Sequence, residues 1–246
     1  MKQTIFCLIF SLLCINIDAQ NIFDVYKNGN YTKLEQLLEK GAEPNQLDRS
    51  KGVPLMFDAA WSNNVAVMEL LHKYGGKIDM EMGESNITPL LIACQQNSFE
   101  TVKFLVSHGA DVNKRFPKAG NQTPIRFACK TGNVELVSFL IENGANFEDT
   151  PDDKITPLIQ AAQRGHFDLV VFLIQKGANV NACARDKETA LNQAIIKDNY
   201  EIVEFLLLNG ADATVVDKDG NSCLKLATKT KNRKLIQLVQ DKLEQN

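Results

Sequence analysis

The side chains best suited to chemistry in this chain are three histidines, a short acidic run and a set of cysteines. His108 precedes a glycine that ends a helix, where a partly cationic ring suits the negative end of the helix dipole. His166 follows Gly165 at the turn between two helices. Catalysis needs such a ring within reach of a second reactive group, and no spacing pairs the histidines in that way. We therefore interpret His72, His108 and His166 as structural residues.

The acidic run Asp217-Lys218-Asp219-Gly220-Asn221 resembles the first half of a calcium-binding loop. The remaining ligands and the distal glutamate of such a loop do not follow it, so a turn is the better interpretation. The chain also lacks a phosphate-binding glycine loop, a nucleophile-elbow serine and a Cys-x-x-Cys pair. These observations predict that the protein is not an enzyme and has no catalytic residue, cofactor or metal site.

The elements that position these residues recur along the chain with a nearly constant period. A Thr or Ser that opens each repeat stands at Thr88, Thr123, Thr156, Thr189 and Ser222, in steps of 35, 33, 33 and 33 residues. A glycine that closes each repeat stands at Gly41, Gly75, Gly109, Gly144, Gly177 and Gly210, in steps of 34, 34, 35, 33 and 33. Because the two markers drift together, whole structural repeats with small insertions are indicated.

One repeat reads as two short helices. Thr156 is suited to cap a helix whose first residue, Pro157, has no amide hydrogen to leave unpaired. Further on, an apolar stripe with three- and four-residue spacing predicts a second amphipathic helix, and Gly177 can end it in a left-handed conformation. This stripe consists of Phe167, Val170, Leu173 and Ile174. Such a helix pair cannot cover its own apolar side, so the repeats are expected to stack.

The sequence of the repeat resembles the ankyrin repeat. The resemblance is clearest in Thr156-Pro157-Leu158 followed by Gly177-Ala178-Asn179-Val180-Asn181. The resemblance extends over roughly residues 21 to 240. It implies an all-α repeat solenoid, in which stacked helix-turn-helix units are joined by β-turn or hairpin fingers. We expect one domain over residues 20–246, with an N-terminal cap at about 21–52, repeats at about 53–221 and a C-terminal cap at about 222–246.

The segment ahead of the repeats has the pattern of a secretory signal peptide over residues 1–19. Lys2 precedes an apolar run from Ile5 to Ile15, and Ala19 supplies a small residue at the expected cleavage site. A lipid anchor at Cys14 is the less favoured alternative, because Leu13 stands where a lipidation motif has a small residue. The leader predicts an exported protein, periplasmic or extracellular, and leaves open whether a bacterial or a eukaryotic pathway exports it.

Export makes the cysteines relevant, because four of the six lie beyond the leader. Cys94 and Cys129 stand at the same position of adjacent repeats, where equivalent points on packed helices lie about 8–10 Å apart, beyond the reach of a disulfide. We expect both to be small buried thiols, and we expect no bridge at Cys183 or Cys223.

The charge of the chain argues against nucleic acid as a partner. The formal net charge is −3, and the leader takes away one basic and one acidic residue, which leaves this balance unchanged. Beyond the leader, no apolar stretch approaches the length of a spanning helix. We predict a protein partner, no nucleic acid, no stable membrane insertion and a monomer.

The resemblance implies that a partner binds at the finger tips and at the exposed edge of the first helices. Two fingers are longer than the others and carry apolar and arginine side chains, which are typical interface anchors. The predicted partner-binding residues are Trp61, Met80, Met82, Gln95, Arg115, Phe116, Arg126, Lys130 and Gln163. Two alternatives stay open: Trp61 packs on the N-terminal cap, and Phe116 and Met82 fold back onto their own turns.

One departure from the family bears on stability. The histidine that usually follows Thr-Pro-Leu is absent, and its place is taken by Leu91, Arg126, Ile159, Asn192 and Lys225. We therefore expect lower stability than that of a consensus array.

The function predicted is a non-catalytic protein-protein interaction module, and the alternative is an accessory or chaperone-like stabiliser of an exported enzyme.

Overall fold

The computed structural model describes residues 21–48, 52–83 and 86–245 of the chain. These residues contain fourteen α-helices and no β-strand, in agreement with the predicted all-α repeat fold. The predicted leader, residues 1–19, lies outside the described residues. The chain divides into two compact units, an N-terminal unit up to Asp111 and a C-terminal unit from Val112 onward. The predicted domain boundaries stay a prediction.

The N-terminal unit contains three helix pairs, each made of a first and a second helix. The pairs are α1 (Asn21–Lys27) with α2 (Tyr31–Glu39), α3 (Leu55–Trp61) with α4 (Val65–Lys73), and α5 (Pro89–Gln95) with α6 (Phe99–Ser107). The first helices α3 and α5 pack against each other, and the second helices α2, α4 and α6 pack in sequence behind them. The unit therefore has two helical layers.

The C-terminal unit repeats this arrangement with four helix pairs. The pairs are α7 (Pro124–Cys129) with α8 (Val134–Glu142), α9 (Pro157–Arg164) with α10 (Phe167–Gln175), α11 (Ala190–Ile196) with α12 (Tyr200–Leu208), and α13 (Cys223–Thr230) with α14 (Arg233–Glu244). First helices contact first helices along the order α7, α9, α11 and α13, and second helices contact second helices along α8, α10, α12 and α14.

The helix starts follow the predicted capping chemistry. The Thr156 hydroxyl accepts a hydrogen bond from the Ile159 amide at 3.2 Å, and Thr88 and Ser222 cap α5 and α13 in the same way. Thr189 adds a reciprocal bond from Asn192, which completes a capping box. Thr123 is the exception, because its buried hydroxyl makes no capping bond. The predicted opening residue of the repeat is thus confirmed as a helix cap in four of five places.

The core lies between the two layers. In α10 the predicted residues Val170 and Leu173 are completely buried, whereas Phe167 and Ile174 are only partly buried. Leu169, which was not part of the predicted stripe, is also completely buried. The buried stripe is therefore shifted around the helix by about one residue, because α10 must contact both α9 and its neighbouring second helices.

The fingers between repeats close as single antiparallel bridges rather than as extended hairpins. Four bridges occur among the described residues: Leu47 with Pro54, Met82 with Ile87, Phe116 with Gln122, and Val216 with Ser222. Asn86 and Asn121 each begin an Asn-x-Thr triplet, the sequence at which N-glycans are attached. Both have positive φ values, of 55° and 56°. The left-handed turn is thus the conformational reason for asparagine at these positions.

The acidic run at residue 217 is a turn, as predicted. Asp217 is buried, and one of its carboxylate oxygens accepts hydrogen bonds from the Asp219 amide at 2.9 Å and the Asn221 amide at 2.8 Å. The Asn221 side chain donates to the other oxygen at 2.9 Å. These bonds, with that of the Asn221 side chain first, lower the pKa of Asp217 below its ordinary value. The carboxylate therefore serves the turn itself.

Candidate interaction surface

The predicted surface of the N-terminal unit begins at the ends of two adjacent first helices. Trp61 is the last residue of α3 and Gln95 is the last residue of α5, and these two helices pack side by side. Trp61 is 54% exposed and Gln95 is also exposed. An indole with half of its surface in water has apolar area left to bury against a partner.

The finger ahead of α5 is less prominent than its length predicts. Met80 and Met82 are both half-buried, and Met82 forms the antiparallel bridge to Ile87. The backbone amide of Met82 donates to the Ile87 carbonyl at 2.8 Å. The backbone of Met82 is therefore part of the turn, and each methionine keeps only part of its surface for a partner.

In the C-terminal unit the predicted binding role of Phe116 is wrong, whereas the alternative in which Phe116 folds back agrees with its burial. Phe116 is 0% exposed, and the short 3-10 helix Pro117–Ala119 folds the finger back. Gly120 follows in the left-handed conformation, and the Asn121 amide then donates to the Phe116 carbonyl at 3.0 Å. This finger is two residues longer than the finger from Asn179 to Thr189, and its backbone hydrogen bonds close it as a turn. Arg115 beside Phe116 is exposed and forms an ion pair with Asp149.

Arg126 is also not available at the surface, which corrects its predicted role in partner binding. Its residue is 5% exposed, and Nη1 lies 2.9 Å from both carboxylate oxygens of Asp153 in the next finger. Arg126 stands in the position where the family usually has histidine, and it supplies a cross-repeat contact of its own. A guanidinium that is buried and held by Asp153 in this way is not available to contact a partner.

The remaining predicted residues lie at the exposed end of the first-helix layer. Lys130 follows α7 and is half-buried, with its Nζ 4.2 Å from the centre of the Phe127 ring. Burial, assisted by the nearby Arg126 and Arg164 charges, lowers the pKa of Lys130. Gln163, near the end of α9, is half-buried and accepts a hydrogen bond from the Gln160 side chain at 3.0 Å.

Ile196 holds the same place at the end of α11 and is 43% exposed, although it was not among the predicted binding residues. The signal for it was its repeat position, because Ile196 stands seven residues after Thr189 as Gln95 stands seven residues after Thr88. It lines an open cavity of about 360 Å³. The other lining residues are Glu188, Asp217, Asp219, Asn221, Leu226, Lys229 and Thr230. The lining thus combines two apolar side chains with three carboxylates and one lysine.

Glu188 gives this cavity its electrostatic character. Burial raises the pKa of Glu188, and the neighbouring Asp186 and Asp217 carboxylates raise it further. Its hydrogen-bond partner is the uncharged side chain of Gln193. A positive group from a partner would be stabilised beside this carboxylate.

The cysteines have the environment of core residues, with one exception. Cys94, Cys129 and Cys223 are buried, as expected for Cys94 and Cys129, whereas Cys183 is exposed. Burial raises the pKa of Cys129 to about 12 and that of Cys223 to about 11. Neither thiol is ionised at neutral pH, so neither has the reactivity of a nucleophile.

The described residues contain neither a metal-type cluster nor a helix of membrane-spanning character. In residues 21–48, 52–83 and 86–245, no three or more His, Cys, Asp or Glu side chains are grouped as they would be around a metal ion. In the same residues no helix has both the length and the apolar character that a bilayer crossing requires.

Two palmitoyltransferases are similar in sequence to about a third of this chain. A palmitoyltransferase of Mus musculus, ZDHHC13, is 34% identical over 83 residues, which are 34% of this chain and 13% of that protein. The palmitoyltransferase Hip14 of Drosophila melanogaster is 34% identical over 92 residues, which are 36% of this chain and 14% of that protein. The chain thus matches only a small part of each relative's length.

The family profiles match far more of the chain. A profile described as ankyrin repeats in three copies matches residues 22–116 and 114–184, and one described as ankyrin repeats in many copies matches residues 173–227. Apart from Asn21, the first six helix pairs, with their capping residues and fingers, lie within this span, and the seventh pair extends beyond it to Glu244. From residue 22 to residue 227, therefore, the chain belongs to the ankyrin repeat family.

Proposed function

We propose that this chain is a non-catalytic module that binds a protein partner along the exposed ends of its first helices. Ankyrin repeats are generally protein-protein interaction modules and are typically non-catalytic. The observation that carries the proposal for this chain is the exposure of large apolar side chains at one repeat position. Trp61 and Ile196 end α3 and α11 with 54% and 43% of their surface exposed.

The residues beneath these ends explain how the surface would bind. Ala59, Ala60, Ala194 and Ile195 are completely buried, so the exposed side chains project from rigid helices. A rigid surface loses little conformational entropy on binding, which leaves more of the contact energy for affinity. Aromatic anchors such as Trp61 typically contribute most of the energy of such interfaces.

A cross-linking experiment tests the location of the surface. A photoreactive amino acid is placed at Ile196 in one variant and at Leu208 in another, and both are expressed in the source cells. Leu208 is the matched control, because it is 80% exposed but ends α12 in the second-helix layer. We expect a specific protein adduct from position 196 and none from position 208. Equal adducts from both positions would contradict the proposed surface.

The partner captured in this way then allows a measurement of affinity. We expect Trp61→Ala to weaken partner binding by about 2 kcal/mol or more if Trp61 anchors the interface. Thermal unfolding of the same variant is the control for its structural role. If binding is unchanged while the unfolding midpoint falls sharply, Trp61 packs on the N-terminal cap instead.

We further propose that the protein is exported and acts as a monomer in the periplasm or outside the cell. The support is the sequence of residues 1–19, with Lys2, the apolar run and Ala19. Mass spectrometry of the protein from the exporting cells is expected to give an N-terminus at Gln20. An intact N-terminus in the cytosol would refute export. Assay of the partner's activity and half-life with and without this chain decides whether binding also stabilises the partner.

A further inference from the structure

His72 occupies a helix position that is aliphatic in the other repeats that end on the same glycine. Three residues before that glycine the repeats have Leu38, His72, Val106, Ile141, Ile174 and Leu207. The following repeat has a second histidine, His108, directly before its own glycine, and the two rings meet across α4 and α6. An imidazole has therefore replaced an aliphatic side chain at the one place where another imidazole faces it.

The separation of the two rings suits a shared ligand. Their centres lie 4.6 Å apart, their planes are inclined at 71°, and both side chains are exposed. Two imidazoles bound to one Zn²⁺ at about 2.0 Å, at right or tetrahedral angles, have ring centres about 4.5–5 Å apart. The distance between the ring centres therefore matches that of two histidine ligands on one ion, and both rings are accessible to an ion from solvent.

The hydrogen bonds of the rings leave the outer nitrogen available. Nδ1 of His108 lies 2.7 Å from the Phe104 carbonyl oxygen, and Nδ1 of His72 lies 3.4 Å from the Gly76 carbonyl oxygen. A carbonyl oxygen only accepts, and the Ser107 hydroxyl, 3.2 Å from Nδ1 of His108, already donates to the Phe104 carbonyl. A proton on Nδ1 of each neutral ring therefore satisfies these contacts and leaves Nε2 its lone pair. Metal-binding histidines are held in this way, with the second nitrogen donating to a backbone carbonyl.

The electrostatic field of the helix ends also favours a cation beside the two rings. His72 lies in the last turn of α4, and His108 is the residue that follows α6. Both rings therefore lie at the carboxyl ends of helices, where the unpaired carbonyl groups carry partial negative charge. A positive ion held between the rings would lie close to two such helix ends.

We propose that His72 and His108 form a two-histidine site for a divalent transition metal ion, of the class of Zn²⁺, Ni²⁺ and Cu²⁺. Imidazole nitrogen is a preferred ligand of these ions. Because the described residues group no third ligand there, water or a side chain of a bound protein completes the coordination. The site lies within the N-terminal unit and does not depend on the proposed protein-binding surface.

The chain itself provides the variants that test this site. His72→Leu restores the residue found at this position in two other repeats, and His108→Asn restores the residue that precedes Gly144 and Gly210. Both variants are therefore expected to fold. Tag-free protein with Cys183→Ser, which removes the exposed thiol as a competing ligand, is titrated with ZnSO4 by calorimetry.

We expect one saturable Zn²⁺ site per chain, and loss of one ligand to weaken it at least about tenfold, since even second-shell changes cost 10–100-fold. His166→Gln is the control and is expected to leave the site unchanged. In a long-range ¹H–¹⁵N spectrum, Zn²⁺ should shift Nε2 of both His72 and His108. Absence of saturable binding, or equal binding by His72→Leu, would show that the two rings only pack together with Phe104.

Discussion

Individual asparagines at the base of the fingers connect one repeat to the next. The Asn181 amide donates to the Gly210 carbonyl at 3.0 Å and accepts from the Asp212 amide at 2.8 Å, and Asn45 and Asn113 make the same pair of bonds. Asp79 accepts the second of these bonds from Asp111. These contacts supply part of the cross-repeat bonding that the missing histidines do not provide.

We expect Asn181→Ala to lower the free energy of unfolding by about 1 kcal/mol, because two hydrogen bonds at an exposed site are exchanged for bonds to water. The measurement is urea unfolding followed by circular dichroism. Glu148→Ala is the matched control, since Glu148 holds the same repeat position without such a side-chain bond among the described residues. A loss of equal size in both variants would argue against a role for the asparagine bonds.

Glu188 provides a prediction about pH. Its pKa is raised in the folded state, so its ionisation opposes folding, and the stability it contributes below the unfolded pKa is lost as pH rises through the folded value. We therefore expect Glu188→Gln to be more stable than the parent at pH 7, and the difference to disappear near pH 3.5, where the parent carboxyl is protonated. A stability gain that is independent of pH would contradict this origin.

The sequence was least informative about single side chains at the fingers. The lengths of the fingers could be read from the sequence. Whether Phe116 is exposed or buried, however, depends on the conformation of residues 117–122, and the same composition allows either result. Pro117 and Gly120, which form the tight turn, were the available signal. Arg126 was misassigned for a related reason, because its partner Asp153 lies in the next finger and only the stacking brings the two together.

At the scale of the elements, helix starts and ends were largely predictable because they depend on local chemistry. Thr or Ser caps, proline at the first position and the closing glycines all act within a few residues. The buried stripe of α10 was less predictable, because two neighbouring helices decide which residues they cover. The junction between the first and second helix is also locally determined, since a left-handed residue stands there in every repeat.

Gly132 and Gly165 hold this junction in adjacent repeats with the same φ of 77°. A Cβ at Gly132 would lie 2.5 Å from the His166 ring, whereas one at Gly165 would meet only Asn199 at 3.5 Å. We expect Gly165→Ala to lower the free energy of unfolding by about 1 kcal/mol, because alanine is strained in the left-handed conformation. We expect Gly132→Ala to lower it by about 1–3 kcal/mol more, because of the clash with the His166 ring. Urea unfolding measures both.

A double variant identifies the source of the difference. Combining Gly132→Ala with His166→Ala should remove most of the additional cost, after allowance for the bond of 3.1 Å that His166 makes to the Lys130 carbonyl. Equal costs for the two single alanine variants would show that the backbone conformation alone determines the effect.

At the scale of the whole molecule, the period of the sequence predicted the family and the stacked helix pairs. It did not predict the division at Asp111, because the repeat markers continue across it with steps of 35 residues, only one or two residues longer than the other steps. The family profiles likewise match on both sides of that point. The sequence specifies each repeat through local rules, whereas the cohesion of successive repeats depends on packing between helices that the markers do not record.

Stability relative to consensus arrays stays a prediction. At the positions where the family usually has histidine, Leu91 and Ile159 are buried apolar residues, and Arg126 and Asn192 make other contacts. We expect a midpoint of thermal unfolding below that of a consensus ankyrin array with the same number of repeats. Differential scanning calorimetry of both proteins under one set of conditions checks this, and a higher midpoint for the present chain would contradict it.

The exposure of Cys183, in the finger ahead of α11, gives the protein a ready attachment point. The other cysteines of the described residues are buried, so a maleimide dye should react at one place once the leader is removed. A dye there would stand in the finger that leads into the helix ending at Ile196. Fluorescence anisotropy of the labelled protein could therefore follow complex formation without an engineered cysteine.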